Sequence, residues 1–246
     1  MVKFVVFCTK VAAAAIAAVL FSSCHSHIDL GNGIDGNGNV TTQTRNVGGD
    51  FSKIEIDRGL NVIVEQADTF LVEVEADDNL QSHITAKVEN GTLTITSDEN
   101  IDEATAKNIR VKLPTLTAIE TSSGASAKTN GVYKGTEISV KSSSGSDSDL
   151  NLEFDTIRCE SSSGSSITVS GKALKLTTDS SSGSDIEARN LLANDVVSET
   201  TSGSSTDVHP LVSLNGKASS GSSINYDSSP KTVTKEESSG GSVSKE

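Results

Sequence analysis

Aromatic residues are scarce in this chain, which has no tryptophan, six phenylalanines and two tyrosines. Surfaces that bind sugars by stacking need exposed aromatic rings, so the composition disfavours a lectin-like platform. Histidine is also rare, and only His83 and His209 lie beyond the N-terminal segment. A serine hydrolase needs a histidine held by a carboxylate beside its nucleophile. We predict structural roles for both histidines and no catalytic residues.

The three cysteines do not provide a disulfide framework for an exported protein. Cys8 lies in a predicted signal peptide, and Cys24 follows that peptide as the predicted lipid-attachment residue. Only Cys159 is left, so no intramolecular pair is available. Cys159 falls at an inward position of a predicted strand, where we expect a buried, unreactive thiol.

Positive charge is in short supply, because 20 Lys and Arg stand against 33 Asp and Glu, for a net charge of −13. Nucleic acids and anionic lipid surfaces attract proteins through basic patches. The charge balance therefore excludes both as electrostatic partners. It indicates a solvated surface that resists association.

The first 23 residues have the pattern of an export signal. Two lysines provide the positive region, and residues 11–21 form an apolar run too short for a permanent membrane span. Ser22-Ser23-Cys24 then resembles the end of a bacterial lipobox, with phenylalanine where leucine is usual. We predict that residues 1–23 are a lipoprotein signal peptide and that lipid on Cys24 holds the protein on the cell envelope, at the outer membrane. The alternative is an ordinary cleaved signal with an incidental cysteine.

The next two segments differ in their apolar pattern. Residues 24–50 are rich in glycine and asparagine and lack a sustained apolar period, which predicts a flexible tether. Apolar and charged residues alternate over residues 51–113, the pattern of half-buried strands. Asn90-Gly91 stands between two alternating runs, which predicts a hairpin with a type I′ turn. We expect an N-terminal β part over residues 51–113.

Residues 114–246 repeat a Ser-Gly dipeptide at a nearly constant spacing. The repeat glycines are Gly124, Gly145, Gly164, Gly183, Gly203, Gly221 and Gly240. Their separations are 21, 19, 19, 20, 18 and 19 residues. A fixed period near 20 residues is the signature of a solenoid. We predict an all-β protein whose repeats form a parallel β-helix, or solenoid, with coils of about 19 residues.

Alignment on these glycines predicts which side chains face inward. Aliphatic residues recur seven places before and three places after the glycine, as Ile157 and Ile167 do around Gly164. Equivalent residues of successive coils would stack about 4.8 Å apart, so each column becomes an interior ladder. The serine directly before each glycine has the same parity as the first aliphatic column. We expect these serines to form a buried hydroxyl ladder.

The order of these motifs resembles a known family. The matching segments are residues 36–47, 51–54, 59–62, 76–80, 90–95 and 113–116, followed by the Ser-Gly corners. Over residues 40–225 the chain resembles the putative auto-transporter adhesin, head GIN domain family. The resemblance implies a right-handed β-helix in an exported bacterial protein, often one of the cell envelope. It carries no established catalytic residues.

One outward column of the repeats is acidic and offers a candidate site. Asp149, Glu187 and Asp207 stand four places after their glycines, and Thr168 and Asn225 interrupt the column. Paired carboxylates hydrolyse glycosidic bonds, and rows of carboxylates bind Ca²⁺. Because no cationic column accompanies these residues in the sequence, we predict a solvated face with no metal and no cofactor.

The sequence therefore predicts a non-enzymatic envelope lipoprotein whose rigid acidic solenoid serves as an adhesin or as a binding or structural module. Two alternatives remain open: a polysaccharide-acting β-helix enzyme that uses the acidic column, and a calcium-stabilised repeat protein. The lipid anchor makes the membrane a predicted partner. A cell-surface or glycan partner is compatible with this reading, and the sequence does not identify one.

Overall fold

A computed structural model of the chain describes residues 33–246. The predicted signal peptide, the predicted lipid-attachment residue Cys24 and the start of the predicted tether lie outside the described residues. In the described part, strands and turns account for the regular structure, and no helix is long and apolar enough to cross a membrane.

The strands of the described part join in one continuous hydrogen-bonded sheet that winds around the interior. Their bounds are β1 Val40–Thr44, β2 Lys53–Ile56, β3 Asn61–Gln66, β4 Leu71–Asp77, β5 Ile84–Glu89, β6 Thr92–Ser97, β7 Lys107–Leu113, β8 Ala118–Thr121, β9 Ser126–Thr129, β10 Tyr133–Ser142, β11 Asp147–Ser161, β12 Ser166–Ser180, β13 Asp185–Thr200, β14 Ser205–Ser219, β15 Ser223–Tyr226, β16 Thr232–Ser238 and β17 Ser242–Lys245.

The repeats stack in parallel, one coil above the next. Ile138 of β10 pairs with Ile157 of β11, which pairs with Leu176 of β12. Each long strand runs from one Ser-Gly corner around a second, gentler bend to the next corner. Register shifts lie near that second bend in β12, β13 and β14. The prediction of an all-β solenoid with coils of about 19 residues is confirmed.

The predicted aliphatic columns form the interior. Ile157 and Ile167 are fully buried on opposite sides of the core. The seven residues three places after the repeat glycines are all buried, namely Ala127, Ser148, Ile167, Ile186, Thr206, Ile224 and Val243. In the other column Thr117 is exposed, and the neighbouring Leu116 enters the core in its place. Cys159 is fully buried as predicted, and burial raises the pKa of its thiol to about 12.

The serine directly before each glycine does not face inward, so the prediction of a buried ladder at that position is wrong. Ser163 is exposed and has φ 55°, and Gly164 follows with φ 70°. Two successive positive φ values with a hydrogen bond from Ser165 N to Ser162 O make a turn of type I′ geometry. The turn reverses the chain, so the alternation of inward and outward side chains along the strand does not continue through it.

A buried hydroxyl ladder does exist, at different positions of the corner. Ser165, directly after the glycine, is buried, and its Oγ donates to the carbonyl oxygen of Ser142 in the preceding coil at 2.7 Å. Ser184 donates to Ser161 at 2.7 Å in the same way. Each of these carbonyl oxygens also accepts from a backbone amide, Ser162 N and Ser181 N respectively, so the buried hydroxyl finds an acceptor and the carbonyl oxygen gains a second donor.

The solenoid also extends into the N-terminal β part, across the predicted boundary at residue 114. Strand β2 pairs in parallel with β8 on one side and with β6 on the other. Strand β3 likewise lies between β9 and β7. The corner between β2 and β3 has Arg58 at φ 55° and Gly59 at φ 66°, which reproduces the Ser-Gly corner. The pairs β2–β3 and β6–β7 are therefore two additional layers of the stack.

Antiparallel strands close the N-terminal end of this stack. Strand β5 forms the predicted hairpin with β6 through Asn90 and Gly91, both at positive φ. Strand β4 pairs with β7, and β1 pairs with β4. Since β1 covers residues 40–44 of the predicted tether, the tether prediction is wrong there. All five residues of β1 are exposed, so antiparallel pairing with β4, rather than an apolar pattern, places this strand in the sheet.

Candidate functional site

The acidic column faces outward, as predicted. Asp149 aligns with Thr168, which aligns with Glu187, and Asp207 follows in the next coil. Thr168 therefore separates Asp149 from Glu187 by two strand spacings, roughly 10 Å. Asp149 is exposed, and Lys128 Nζ lies 3.9 Å from its Oδ2.

A cation does accompany this column, which corrects the sequence-based argument. Arg189 Nη2 contacts Asp207 Oδ1 at 2.8 Å, and its Nε lies 3.8 Å from Glu187 Oε1. Arg189 also contacts Glu246, and Asn225 Nδ2 donates to Asp207 at 2.9 Å. Hydrogen bonds to Glu246 and then to Asp207 raise the pKa of Arg189. The bulge in β13 removes Arg189 from simple repeat alignment, which is why the columns did not reveal it.

This cluster is suited to holding coils together rather than to glycoside chemistry. Glycoside hydrolysis needs two carboxyl groups at a set separation that are both free to act on the substrate. Glu187 and Asp207 share Arg189, and Asp149 lies apart from both. Among residues 33–246, no group of three or more His, Cys, Asp and Glu side chains is arranged to hold a metal ion.

Both histidines of the described part are held by aspartates. Nδ1 of His83 lies 2.8 Å from Asp98 Oδ1, and Nδ1 of His209 lies 2.7 Å from Asp227 Oδ1. This is the orienting half of a catalytic triad. Over residues 33–246, the His83 ring is hydrogen-bonded to Asp98, the His209 ring contacts Asp227, and neither Nε2 engages a serine hydroxyl.

A polar concavity follows the Ser-Gly corners, and we call it the corner groove. It encloses about 400 Å³. Its charged and hydroxyl side chains come from successive layers: Glu55, Asp57, Thr94, Glu120, Ser122, Lys141, Ser143, Glu160, Ser162, Asp179 and Ser181. Most of its charged residues stand four places before a corner glycine, so the sequence contains this column, but the column mixes lysine with carboxylates and does not have the pattern of paired carboxylates. Glu55 and Asp57 join it because β2 stacks on β8.

The corner groove carries a net negative charge, because five carboxylates and one lysine line it. Lys141 Nζ contacts Glu160 Oε2 at 3.0 Å, and this hydrogen bond raises the pKa of Lys141. Two coils beyond Glu160, Glu199 Oε1 contacts Lys217 Nζ of the following coil at 2.8 Å. Asp179 lies between these two pairs, and burial followed by the charges of Glu199 and Glu160 raises its pKa. A cationic group entering the groove would relieve this repulsion.

An apolar hollow lies on the opposite, gentler bend and encloses about 400 Å³. Phe154 forms its floor and packs against Tyr133 with ring centroids 6.4 Å apart. Leu174, Leu192 and Leu211 form its rim, and Leu174 is 56% exposed.

These features define a β-solenoid protein whose surface consists of stacked polar columns, with a polar groove on one bend and an apolar hollow on the other. The chain belongs to the family described as "Putative auto-transporter adhesin, head GIN domain", whose model matches residues 50–230.

Solved structures show the same fold. A putative adhesin from Bacteroides fragilis is similar with a TM-score of 0.80 and 19% identity, over 87% of this chain and 100% of that one. A putative adhesin from Parabacteroides merdae has a TM-score of 0.68 and 21% identity, over 87% and 98%. A protein from Parabacteroides distasonis named a putative lipid binding protein has a TM-score of 0.69 and 19% identity, over 87% and 99%. No curated protein matches the chain.

Proposed function

We propose that this protein is a non-catalytic adhesin of the cell envelope, anchored through lipid on Cys24, and that the corner groove is its binding face. The groove carries the proposal, because it is a continuous concavity of ligand size built from side chains of several layers. The family description and the names of two structural neighbours support the adhesin role.

The chemistry of the groove indicates the kind of partner. Serine hydroxyls donate and accept hydrogen bonds, and the excess of carboxylates over lysine favours a cation. The charged columns continue along successive coils, so a partner with repeated polar and cationic groups would gain contacts along the solenoid axis. Such contacts add avidity without requiring one deep pocket.

Attachment of cells that carry the full chain would test the binding face. The groove variant is Glu120→Gln, Glu160→Gln and Asp179→Asn. A matched control, Asp147→Asn, Asp149→Asn and Asp185→Asn, removes the same charge from exposed positions of another face. We expect the groove variant to lose attachment to host-cell or matrix-coated surfaces and the control to retain it. Equal attachment by both variants would reject the groove as the binding face.

The anchor requires a separate test. Changing Cys24→Ala should move the protein from the membrane fraction to the soluble fraction and abolish fatty-acid labelling. Labelling that persists in this variant would show that lipid attaches elsewhere.

Binding of a lipid acyl chain is a second candidate function, favoured by the apolar hollow. Leu174 and Leu192 would contact the chain, and the lipid-binding name of one structural neighbour agrees with this role. Changing both leucines to Asn should abolish uptake of a fluorescent fatty acid while cell attachment through the corner groove persists. Unchanged uptake would exclude the hollow.

A further inference from the structure

The last coil departs from the inner columns of the solenoid. Lys235 and Glu237 stand five and three places before Gly240, where an earlier coil has Ser198 and Thr200. Ser198 and Thr200 are buried, whereas Lys235 and Glu237, in the last coil of the described part, are exposed. Charged side chains thus occupy inward positions only where the described solenoid ends.

Both charged side chains cross the open end to the same residue of the neighbouring strand. Lys235 Nζ donates to the carbonyl oxygen of Val243 at 2.6 Å. Val243 N donates to Glu237 Oε1, also at 2.6 Å. Lys235 Nζ additionally lies 5.4 Å from the centroid of the Tyr226 ring in the preceding coil.

The peptide groups of Val243 are those that another strand would use. Ser242 N donates to Ser222 O of the preceding coil at 3.0 Å. Because peptide groups alternate in direction along a strand, the N–H and C=O of the next residue, Val243, point toward the open end. Lys235 and Glu237 therefore occupy the two peptide groups of Val243 that a further strand would have used.

We propose that Lys235 and Glu237 form a built-in cap that prevents the C-terminal edge of the solenoid from pairing with a second copy of this chain. An uncovered edge strand is a template for strand addition. Each copy carries the same edge, so two copies related by a twofold axis would pair β17 with β17 in antiparallel fashion. The opposite end of the described stack is formed by the antiparallel strands β1, β4 and β5, so it does not repeat the parallel arrangement of this edge.

Removal of the cap tests the proposal. Lys235→Ser with Glu237→Thr installs the residues of an inner coil. Lys231→Ser with Glu236→Thr is the matched control, because it removes the same residue types from exposed positions. All proteins are full chains with Cys24→Ala, so that lipid does not cause association. In sedimentation velocity, the uncapped variant should show a dimeric fraction that increases with protein concentration. The wild-type sequence and the control should remain monomeric.

Amide hydrogen exchange locates the contact. The peptide of Lys245 also faces the open end, so its N–H should gain protection in the dimer. A monomeric uncapped variant would overturn the proposal, as would a dimer in which Lys245 stays unprotected. The single change Glu237→Gln retains an acceptor for Val243 N and should remain monomeric; if it dimerises as the double variant does, the hydrogen-bonded cap is not the cause.

Discussion

The Ser-Gly corner gives a sharp prediction, because backbone conformation and steric contact are separable there. Gly164 has φ 70°, and a Cβ added to it would meet nothing within 4 Å. Gly164→Ala should therefore destabilise only through the left-handed backbone, by about 1–2 kcal/mol. Since Gly164 N donates to Ser182 O at 3.2 Å, a corner that relaxes would also lose this bond between coils.

Gly171 provides the steric comparison. It has φ 114°, and a Cβ there would lie 2.1 Å from the carbonyl oxygen of Leu152. Gly171→Ala should cost clearly more than Gly164→Ala, because it adds a clash with backbone to the conformational cost. Ser163, also left-handed at φ 55°, gives the opposite sign. Asparagine tolerates this conformation, so Ser163→Asn should stabilise by about 0.5 kcal/mol.

Urea unfolding at 25 °C, monitored by circular dichroism, measures all three variants. From most to least stable, the expected order is Ser163→Asn, wild type, Gly164→Ala and Gly171→Ala. A loss below about 0.5 kcal/mol for Gly164→Ala, the range of ordinary surface changes, would refute the assigned corner conformation. A loss equal to that of Gly171→Ala would refute the open space around the corner.

Three further predictions concern the core, the groove and the acidic column. In urea titrations, Ile157→Ala should lower the free energy of unfolding by about 2–5 kcal/mol, and Ile157→Asp should lower it by more. Thr156→Ala, on the outer face, should change it by no more than about 0.5 kcal/mol. Equal effects at the two positions would contradict the assigned faces. The pKa of Asp179 is raised in the folded state, so its ionisation weakens the fold as pH rises from the unfolded value near 4. Asp179→Asn should then raise the melting temperature near pH 7 but not near pH 3, and a gain that persists in acid would contradict this cause. Asp207→Asn leaves Arg189 without its 2.8 Å partner and should lower the melting temperature, most at low salt; a rise would mean that repulsion dominates the column.

Much of the repeat region follows from sequence because a solenoid encodes its contacts locally. Each coil touches its neighbours one period away, so alignment of the glycines also aligns the contacts. The burial of Ile157, Ile167 and Cys159 follows from that alignment and from the two-residue period of strands. The Asn90-Gly91 hairpin is predictable for a similar reason, because the turn type depends on two adjacent residues.

Other features depend on contacts between residues distant in the chain. The stacking of β2 between β6 and β8 joins segments that are far apart in sequence, and no repeat spacing signals it. Strand β1 has five exposed residues, so its place follows from pairing with β4 rather than from an apolar pattern. The corner groove depends on the first of these contacts, since Glu55 reaches it only through the stacking of β2 on β8.

The sequence by itself determined the period, the inward aliphatic columns and the acidic character of the surface. It did not determine the direction of the serine before each glycine, because a turn with two positive φ values interrupts the alternation that predicts parity. Nor did it reveal Arg189 among Glu187, Asp207 and Glu246. A bulge shifts the register there, and long side chains then reach across coils. Only the tertiary structure decided these points, because they depend on how successive coils are placed on one another.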